Sequence, residues 1–377
     1  GVSFDDIALQ IEERFDGICK SLDLDLGFMD EVNSWLRSLT PDISKEWLVS
    51  RGEYFTAKMM AAYLGFRFVD AADCILFSSD GELDKERTDV AVRSAYEQYG
   101  NIVIPGFYGS LPNNRVRLMP RGGSDITGAI VSAALGADIY ENWTDVSGIF
   151  MADPRIVPEP KPIPTLTYDE LRELSFMGAT VLQEDSILPV TEAGIPLNIR
   201  NTNEPDNPGS LIVDKVLTEE SDDDRFITGI AGRKNFTVLS LQKRKLKVSE
   251  SLRKVLEILE RFHIEAENIT LGLDTFSVIV SSSSLENNEF EVIGEIRKTV
   301  QPDKLETQDG ISLIAAVGRK MMFRPGISGR LFNALGENGI NVRTIAQGAD
   351  ELSILVGVYN KDFDKAVRVL YESFART

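Results

Sequence analysis

The sequence contains a single histidine, His263, in 377 residues. That excludes a histidine-based catalytic triad and any multi-histidine metal centre. Phosphate chemistry here must rely on carboxylates, lysine, arginine, backbone amides and Mg²⁺, a cation that prefers oxygen ligands. Cysteine is almost as scarce: Cys19 and Cys74 stand alone, with no CxxC and no zinc-site spacing. A disulfide scaffold is excluded, a reducing compartment fits, and each thiol reads as a small buried hydrophobe. No apolar run approaches the ~20 residues that cross a bilayer. The opening Gly1-Val2-Ser3-Phe4-Asp5-Asp6 lacks the basic stretch and apolar core of a signal peptide. A cytoplasmic protein is therefore expected. Positive charge is also in deficit, with 40 Lys and Arg against 59 Asp and Glu, a net charge of -19. Such a field repels nucleic acid and anionic membranes, so neither is expected as a partner. It does not exclude a small anionic substrate, since Arg side chains and backbone N–H groups can bind phosphate inside an acidic protein.

What is present suits a globular chain of two or three domains, with 43% hydrophobic and 26% charged residues. Residues 1–66 read as helical: Ile7, Ile11, Phe15 and Ile18 recur at three and four. A further helix is expected from about Lys45 to Leu64. Strands and helices then alternate. Phe66–Ala71 and Asn101–Gly106 read as strands, Thr88–Tyr99 as a helix, Asp125–Leu135 as a small-residue helix, and Ala137–Trp143 as a strand. This alternation predicts an α/β domain with helices covering a mostly parallel sheet.

The turn-rich stretch Asn201–Ser210 and the acidic run Thr218–Asp224, read as a solvated linker, end that part. The remainder repeats. The offset from Ile264 to Ile340 also pairs Leu259 with Leu335, Ile269 with Ile345 and Gly272 with Gly348. It likewise pairs Phe276–Val280 with Leu352–Val356. Each unit reads strand, helix, strand, strand, helix. The stripe Leu252, Val255, Leu256, Leu259 and Phe262 reads as core packing. On the residues alone, these are paired α/β modules that could serve dimerisation without any ligand.

Three stretches point to chemistry. Arg121-Gly122-Gly123-Ser124-Asp125 precedes a helix, whose N-terminal amides and dipole suit phosphate. The glycines allow close backbone approach, and Arg121 adds a charged donor. Asp125 could N-cap the helix, hold Mg²⁺ through water, or position a lysine; a plain helix start is equally consistent. Trp143-Thr144-Asp145-Val146-Ser147-Gly148-Ile149-Phe150, with Asp153-Pro154-Arg155, follows a strand, at the sheet end where open α/β folds bind ligands. Alone it could be no more than a turn. In Ser50-Arg51-Gly52-Glu53, a glycine inside a helix costs about 1 kcal/mol relative to alanine, so close approach of a ligand or another helix is expected there. Glu53 reads as either an ammonium ligand or a solvated helix residue.

Together these stretches resemble the aspartokinases of the amino-acid kinase superfamily. The order is the family's: an RGE helix, RGGSD, WTDVSGI with DPR, Met177-Gly178-Ala179-Thr180-Val181-Leu182, and then paired modules similar to ACT domains. Phe323-Arg324-Pro325-Gly326-Ile327-Ser328 and Gly339-Ile340-Asn341-Val342 look like ACT features. The implied fold is α/β, a mostly parallel sheet sandwiched by helices in the amino-acid kinase fold, plus an α+β tandem ACT part of βαββαβ ferredoxin-like units. Expected divisions are a catalytic domain over 1–220, a linker over 221–226, and a regulatory part over 227–377, split at about 308/309.

The resemblance implies transfer of the γ-phosphoryl of ATP, with Mg²⁺, to the β-carboxylate of L-aspartate. The product, 4-phospho-L-aspartate, opens the route to lysine, threonine and methionine. It implies that Glu53 grips the aspartate ammonium group and Arg121 its carboxylate, with Ser124 and Asp125 beside the transferring phosphate. Thr144, Asp145, Phe150, Arg155, Thr180 and Val181 would meet the nucleotide. No protein residue is expected as a resident metal site. Glu267 and Asp274 would receive an amino-acid effector, lysine ahead of threonine, or else are surface carboxylates. A homodimer or larger homo-oligomer through the ACT domains is expected.

Departures are visible too. The family's opening KFGG motif, with its catalytic lysine and first sheet strand, has no counterpart in this sequence: either the molecule carries that segment outside these residues, or the chain is truncated and inactive. Phe150 replaces a common Tyr, Thr180 a common Lys, and Gln183 a His. Two rival readings stand beside the first: a non-catalytic amino-acid-binding regulator, and a kinase for glutamate or acetylglutamate.

Overall fold

The computed structural model describes residues 3–24, 27–179, 182, 184–216, 226–244, 248–321, 325–348 and 350–375. The chain divides into two compact units, residues 1–143 with 182–198, and residues 144–181 with 199–377.

The first unit opens with α1 (Phe4–Ser21), α2 (Phe28–Ser38) and α3 (Lys45–Leu64). Ser3 and Ser44 cap α1 and α3 through their hydroxyls. Phe15, Phe28 and Phe55 meet edge to face at the centre of this bundle, with centroids 5.8–5.9 Å apart. Then follow β1 (Arg67–Phe68), α4 (Ala71–Cys74), α5 (Lys85–Tyr99) and β2 (Ile102–Val103), with β1 and β2 parallel. The expected strand Phe66–Ala71 is cut to two residues because Asp70 accepts from the Ala72 amide and starts α4. The strand expected at Asn101–Gly106 is equally short; it ends before Pro105-Gly106 turns the chain. A hairpin of β3 (Tyr108–Ser110) and β4 (Val116–Leu118) leads to α6 (Gly123–Leu135) and β5 (Tyr140–Thr144). Both thiols are buried and free, as expected. Burial pushes the Cys74 thiol up to about 12.

In the second unit, β6 (Ile149–Phe150) pairs with β7 (Pro162–Ile163), and β8 (Thr165–Thr167) leads into α7 (Tyr168–Phe176). The helix α8 (Glu184–Ala193) belongs to the first unit, where it packs on α6. The strands β9 (Leu197–Asn201) and β10 (Ser210–Val213) complete a sheet in the order β5–β9–β10–β8, with β10 and β8 parallel. The acidic run at 218–224 lies outside the described residues.

The repeat comprises β11 (Gly229–Gln242), α9 (Val248–Arg261), β12 (Ala266–Leu271), β13 (Thr275–Ser281), α10 (Ser282–Leu285) and α11 (Glu289–Val300). It continues with β14 (Lys304–Val317), α12 (Ile327–Glu337), β15 (Thr344–Gln347), β16 (Ser353–Tyr359) and α13 (Phe363–Ala375). One six-stranded antiparallel sheet runs β12–β13–β11–β14–β16–β15. Its two long strands explain how a strand–helix–strand–strand–helix repeat yields ferredoxin-like units. Residues 236–242 of β11 pair with β13 on one side and with the first half of β14 on the other. Residues 229–233 of β11 pair with the second half of β14, whose other side carries β16. Each unit therefore takes its fourth strand from the long first strand of the other. The register shifts between Arg233 and Phe236, where β11 passes from one unit to the other. The α9 stripe packs as expected: Val255 and Leu259 are buried beside Leu239, Val278 and Val292.

Candidate active site

Glu53 lies on α3, two residues after Arg51. Arg51 is buried, and sequence reading overlooked it as an anchor. Its guanidinium sits 4.4 Å from the Tyr54 ring centroid, 5.0 Å from Trp47 and 5.6 Å from Tyr108, and donates to the Ser50 hydroxyl at 3.0–3.2 Å. Trp47 and Tyr54 belong to α3 itself and hold the guanidinium in place, while the Tyr108 contact, worth about 0.5–2 kcal/mol, ties this turn of α3 to β3. The Tyr108 hydroxyl donates to Asp70 at 2.8 Å, and burial raises its pKa far above the ordinary value. Glu53 is thereby aimed at the loop after β2, where the Gly106 amide donates to its Oε1 at 3.4 Å. That bond is long and weak, so the carboxylate retains most of its accepting capacity.

At Gly52 no neighbouring helix makes the close approach among the described residues. A Cβ there would meet nothing within 4 Å, so no close approach within the described residues calls for this glycine. Gly106 is the glycine that matters: a Cβ on it would fall 2.7 Å from the Ser124 hydroxyl. Glu53 and Ser124, distant in sequence, thus flank one backbone position. The next residue, Phe107, holds φ 59, uncommon for an aromatic residue and a mark of a constrained loop. Its amide donates to Thr127 Oγ1 at 3.1 Å, which ties the loop to α6.

The N-cap of α6 is Gly122, at φ 83 with no side-chain cap. Asp125 therefore does not cap the helix. It sits in the first turn, where Asn142 Nδ2 donates to its Oδ1 at 2.9 Å and the Tyr140 hydroxyl donates to its backbone oxygen at 3.3 Å. Asn142 also donates to the Tyr140 hydroxyl at 3.1 Å, and burial pushes Tyr140 up to about 12. Both partners come from β5, at the edge of the WTDV motif; Asn142 is the buried residue of a strand whose other residues are part-exposed or exposed. Ser124 is exposed at the same helix start. Arg121 is exposed and forms no ion pair or hydrogen bond among the described residues.

Of the residues expected to meet the nucleotide, Thr144, Asp145, Phe150 and Arg155 lie in the second unit. Thr144 ends β5; its backbone oxygen accepts from Thr202 N at 2.8 Å, and its hydroxyl donates to Asp145 at 3.3 Å. The chain turns at Gly148, φ 90, where a Cβ would lie 2.5 Å from the Ser210 hydroxyl. Phe150 and Arg155 line a cavity of about 320 Å³ together with Gly178 and Ala179; Thr144 and Asp145 precede it without lining it. Arg155 is exposed and folded onto Asp153, with Nη2 to Oδ2 at 2.7 Å. The Arg155 hydrogen bond holds the Asp153 carboxyl below its usual range. Thr180, Val181 and Gln183 lie outside the described residues.

Glu267 and Asp274 are not brought together. Glu267, at the start of β12, forms an ion pair with Arg233. Asp274 lies in the turn after the other end of that strand and accepts from Gln242 at 3.0 Å. At about 3.3 Å per strand residue, one small amino acid does not bridge them. Among the described residues no group of three or more His, Cys, Asp or Glu side chains is placed to hold a metal ion, and no helix is long and apolar enough to cross a membrane.

A family model described as the amino acid kinase family matches residues 8–201, and an ACT domain model matches residues 314–374. Aspartokinase 3 of Bacillus subtilis (strain 168) is 30% identical over 385 residues, spanning 98% of this chain and 84% of the relative. Bifunctional aspartokinase/homoserine dehydrogenase 1 of Arabidopsis thaliana is 29% identical, and this chain spans 42% of it. The crystal structure of Clostridium acetobutylicum aspartate kinase matches at TM-score 0.92 and 41% identity, covering 99% of this chain and 86% of that one. E. coli aspartokinase III, solved with aspartate and ADP, shares the fold at TM-score 0.68 and 22% identity, over 96% of this chain and 87% of that one. The chain belongs to the amino acid kinase family, with the aspartokinases that join this domain to ACT domains.

Proposed function

We propose that this protein is an aspartokinase that transfers the γ-phosphoryl of ATP to the β-carboxylate of L-aspartate, giving 4-phospho-L-aspartate and ADP. The observation that carries the reading is the meeting of Glu53, Gly106 and Ser124 beside Asp125, at the uncapped start of α6. Glu53 accepts from the substrate ammonium group, and the free Arg121 guanidinium pairs with a substrate carboxylate. A carboxylate oxygen attacks the γ-phosphorus as the bond to the ADP oxygen breaks. The attacking group is already ionised, so no general base is needed, and catalysis is positioning and charge neutralisation. The open amides of α6 suit the charge that gathers on the transferring group. Mg²⁺ would neutralise the phosphate oxygens of bound ATP, with Asp125 reaching it directly or through water; such sites need only one or two carboxylates. The nucleotide takes the segment from Thr144 to Arg155, together with Thr180 and Val181.

The catalytic domain is assigned to 1–220, the linker to 221–226 and the regulatory part to 227–377. The regulatory part receives an amino-acid effector, lysine first and threonine second, and joins copies of the chain into a homo-oligomer. Cytoplasmic location follows from the same reading.

The test is a hydroxamate assay with ATP and Mg²⁺ on aspartate, glutamate and acetylglutamate. With the KFGG segment in place, turnover with aspartate alone is expected. Preference for glutamate or its acetyl derivative would replace the reading with that of another amino-acid kinase. Effector binding without turnover on any acceptor would leave a regulator that has lost its chemistry.

A further inference from the structure

The cavity that holds Phe150 and Arg155 has a back wall from a different module. Gly148, Phe150, Arg155 and Ala179 line it on the side of the kinase motifs. Ile230 and Ala231 of β11, with Phe363 and Val367 of α13, line it on the side of the ACT repeat. All four of those residues are buried. The wall is fixed to the motif loop by main chain, since the Ile230 amide donates to the Met151 oxygen at 2.7 Å. It is also held from the side: Gly232 pairs opposite Ile314 of β14, and a Cβ on it would lie 2.6 Å from the Leu313 oxygen, so β11 and β14 would move together.

We propose that the base of the nucleotide is received on the regulatory repeat, with Ile230, Ala231, Phe363 and Val367 forming the back of its pocket. The proposal rests on the reading that ATP binds at the Thr144–Arg155 segment, and it names which end of ATP goes where. At about 320 Å³ the cavity is at the small end for ligand sites; it suits a planar base with its sugar rather than a whole triphosphate. Its back is apolar, so it offers shape and burial to a heterocycle and nothing to a phosphate. The cation of the lining, Arg155, is exposed and paired with Asp153; it would turn from that carboxylate to the phosphates.

This arrangement also gives the repeat a means of acting on catalysis. Two residues beyond the wall, Arg233 pairs with Glu267 of β12, and its guanidinium lies 5.3 Å from the Phe176 ring centroid. Its Cγ would be 2.9 Å from a Cβ on Gly178. An event at β12 that draws on Glu267 therefore reaches both the wall strand and the Gly178 loop, and changes nucleotide affinity before it changes aspartate affinity.

The experiment is photolabelling of the intact enzyme with 8-azido-ATP, with and without excess ATP, followed by peptide mapping. Label on peptides containing 230–232 or 363–367 that ATP protects is the expected result. Protected label confined to other peptides would overturn the proposal and leave the nucleotide reading standing. The absence of any protected label would overturn both. In parallel, Ala231→Leu, which fills the pocket, should raise the nucleotide Kd about tenfold or more while the KM for aspartate stays within about twofold. A folded variant with unchanged nucleotide affinity would reject the wall.

Discussion

At the scale of single residues, the proposed site separates binding from chemistry. Glu53 makes one long hydrogen bond to Gly106, so its carboxylate is available in the ground state as much as in the transition state. Asp125 is instead held by Asn142 and placed at an open helix start, where the proposed transfer would gather charge. Glu53→Ala should therefore raise the KM for aspartate about 10- to 100-fold, the range of a lost charge-assisted bond, with kcat little changed. Asp125→Ala should lower kcat about 100- to 1000-fold with modest effect on either KM. Steady-state kinetics with both substrates varied decides this. If both variants altered only the KM for ATP, the assignment of Glu53 and Asp125 to the aspartate end would be wrong.

At the scale of elements, the helices show which sequence signals can be trusted. Gly52 lies mid-helix in α3 with open space where its side chain would be. Gly52→Ala should stabilise the protein by about 1 kcal/mol, read as a higher urea midpoint at unchanged slope. A lower midpoint would mean that something approaches this face after all. The opposite case is Glu170 in α7, which is fully buried. It closes the Thr167 capping box, accepts from Thr228 at 2.5 Å, and pairs with Arg319 at 2.7 Å. Arg319 is partly exposed and can turn to water, but the Thr167, Thr228 and Arg319 donors lose a buried charged acceptor, at a cost of about 2–3 kcal/mol. Glu170→Ala should show that loss in thermal and urea unfolding alike; a change under 1 kcal/mol would mean that the pair contributes only specificity.

These two positions also explain what could be read from the chain. Short-range signals worked: the limits of α3, the glycine-led start of α6, the stripe on α9, and the motif that ends β5. Long-range pairing did not announce itself. Glu267 looked like an available carboxylate because its partner Arg233 lies on another strand. Gly52 looked significant because its cost is local, while the demanding glycine, Gly106, shows its reason only once α6 packs beside it. The exchange of fourth strands between β11 and β14 was hidden because a repeat reveals its period and not its pairing.

At the scale of the whole molecule, the six-stranded sheet ends, among the described residues, in two open edges, β12 and β15. Open edges with apolar side chains invite pairing unless they are protected. Here Leu271 is 65% exposed, Leu273 is 99% exposed and Ile345 is 53% exposed. Leu271 and Leu273 belong to one hairpin, so a second copy related by a two-fold axis would bury the same patch from both sides. The net charge of -19 opposes that association at long range, and salt screens it, since the Debye length is about 10 Å at 0.1 M. Dimerisation should therefore tighten as ionic strength rises. The double substitution Leu271→Glu with Leu273→Glu should yield a folded monomer, because it adds charge where apolar surface was to be buried. Light scattering at low and moderate salt would measure both effects. A wild-type monomer at every salt concentration, or a variant of unchanged mass, would reject β12 as the joining edge. Should the variant become monomeric yet keep its response to amino acids, effector binding would be complete within one chain, and the edge would serve assembly alone.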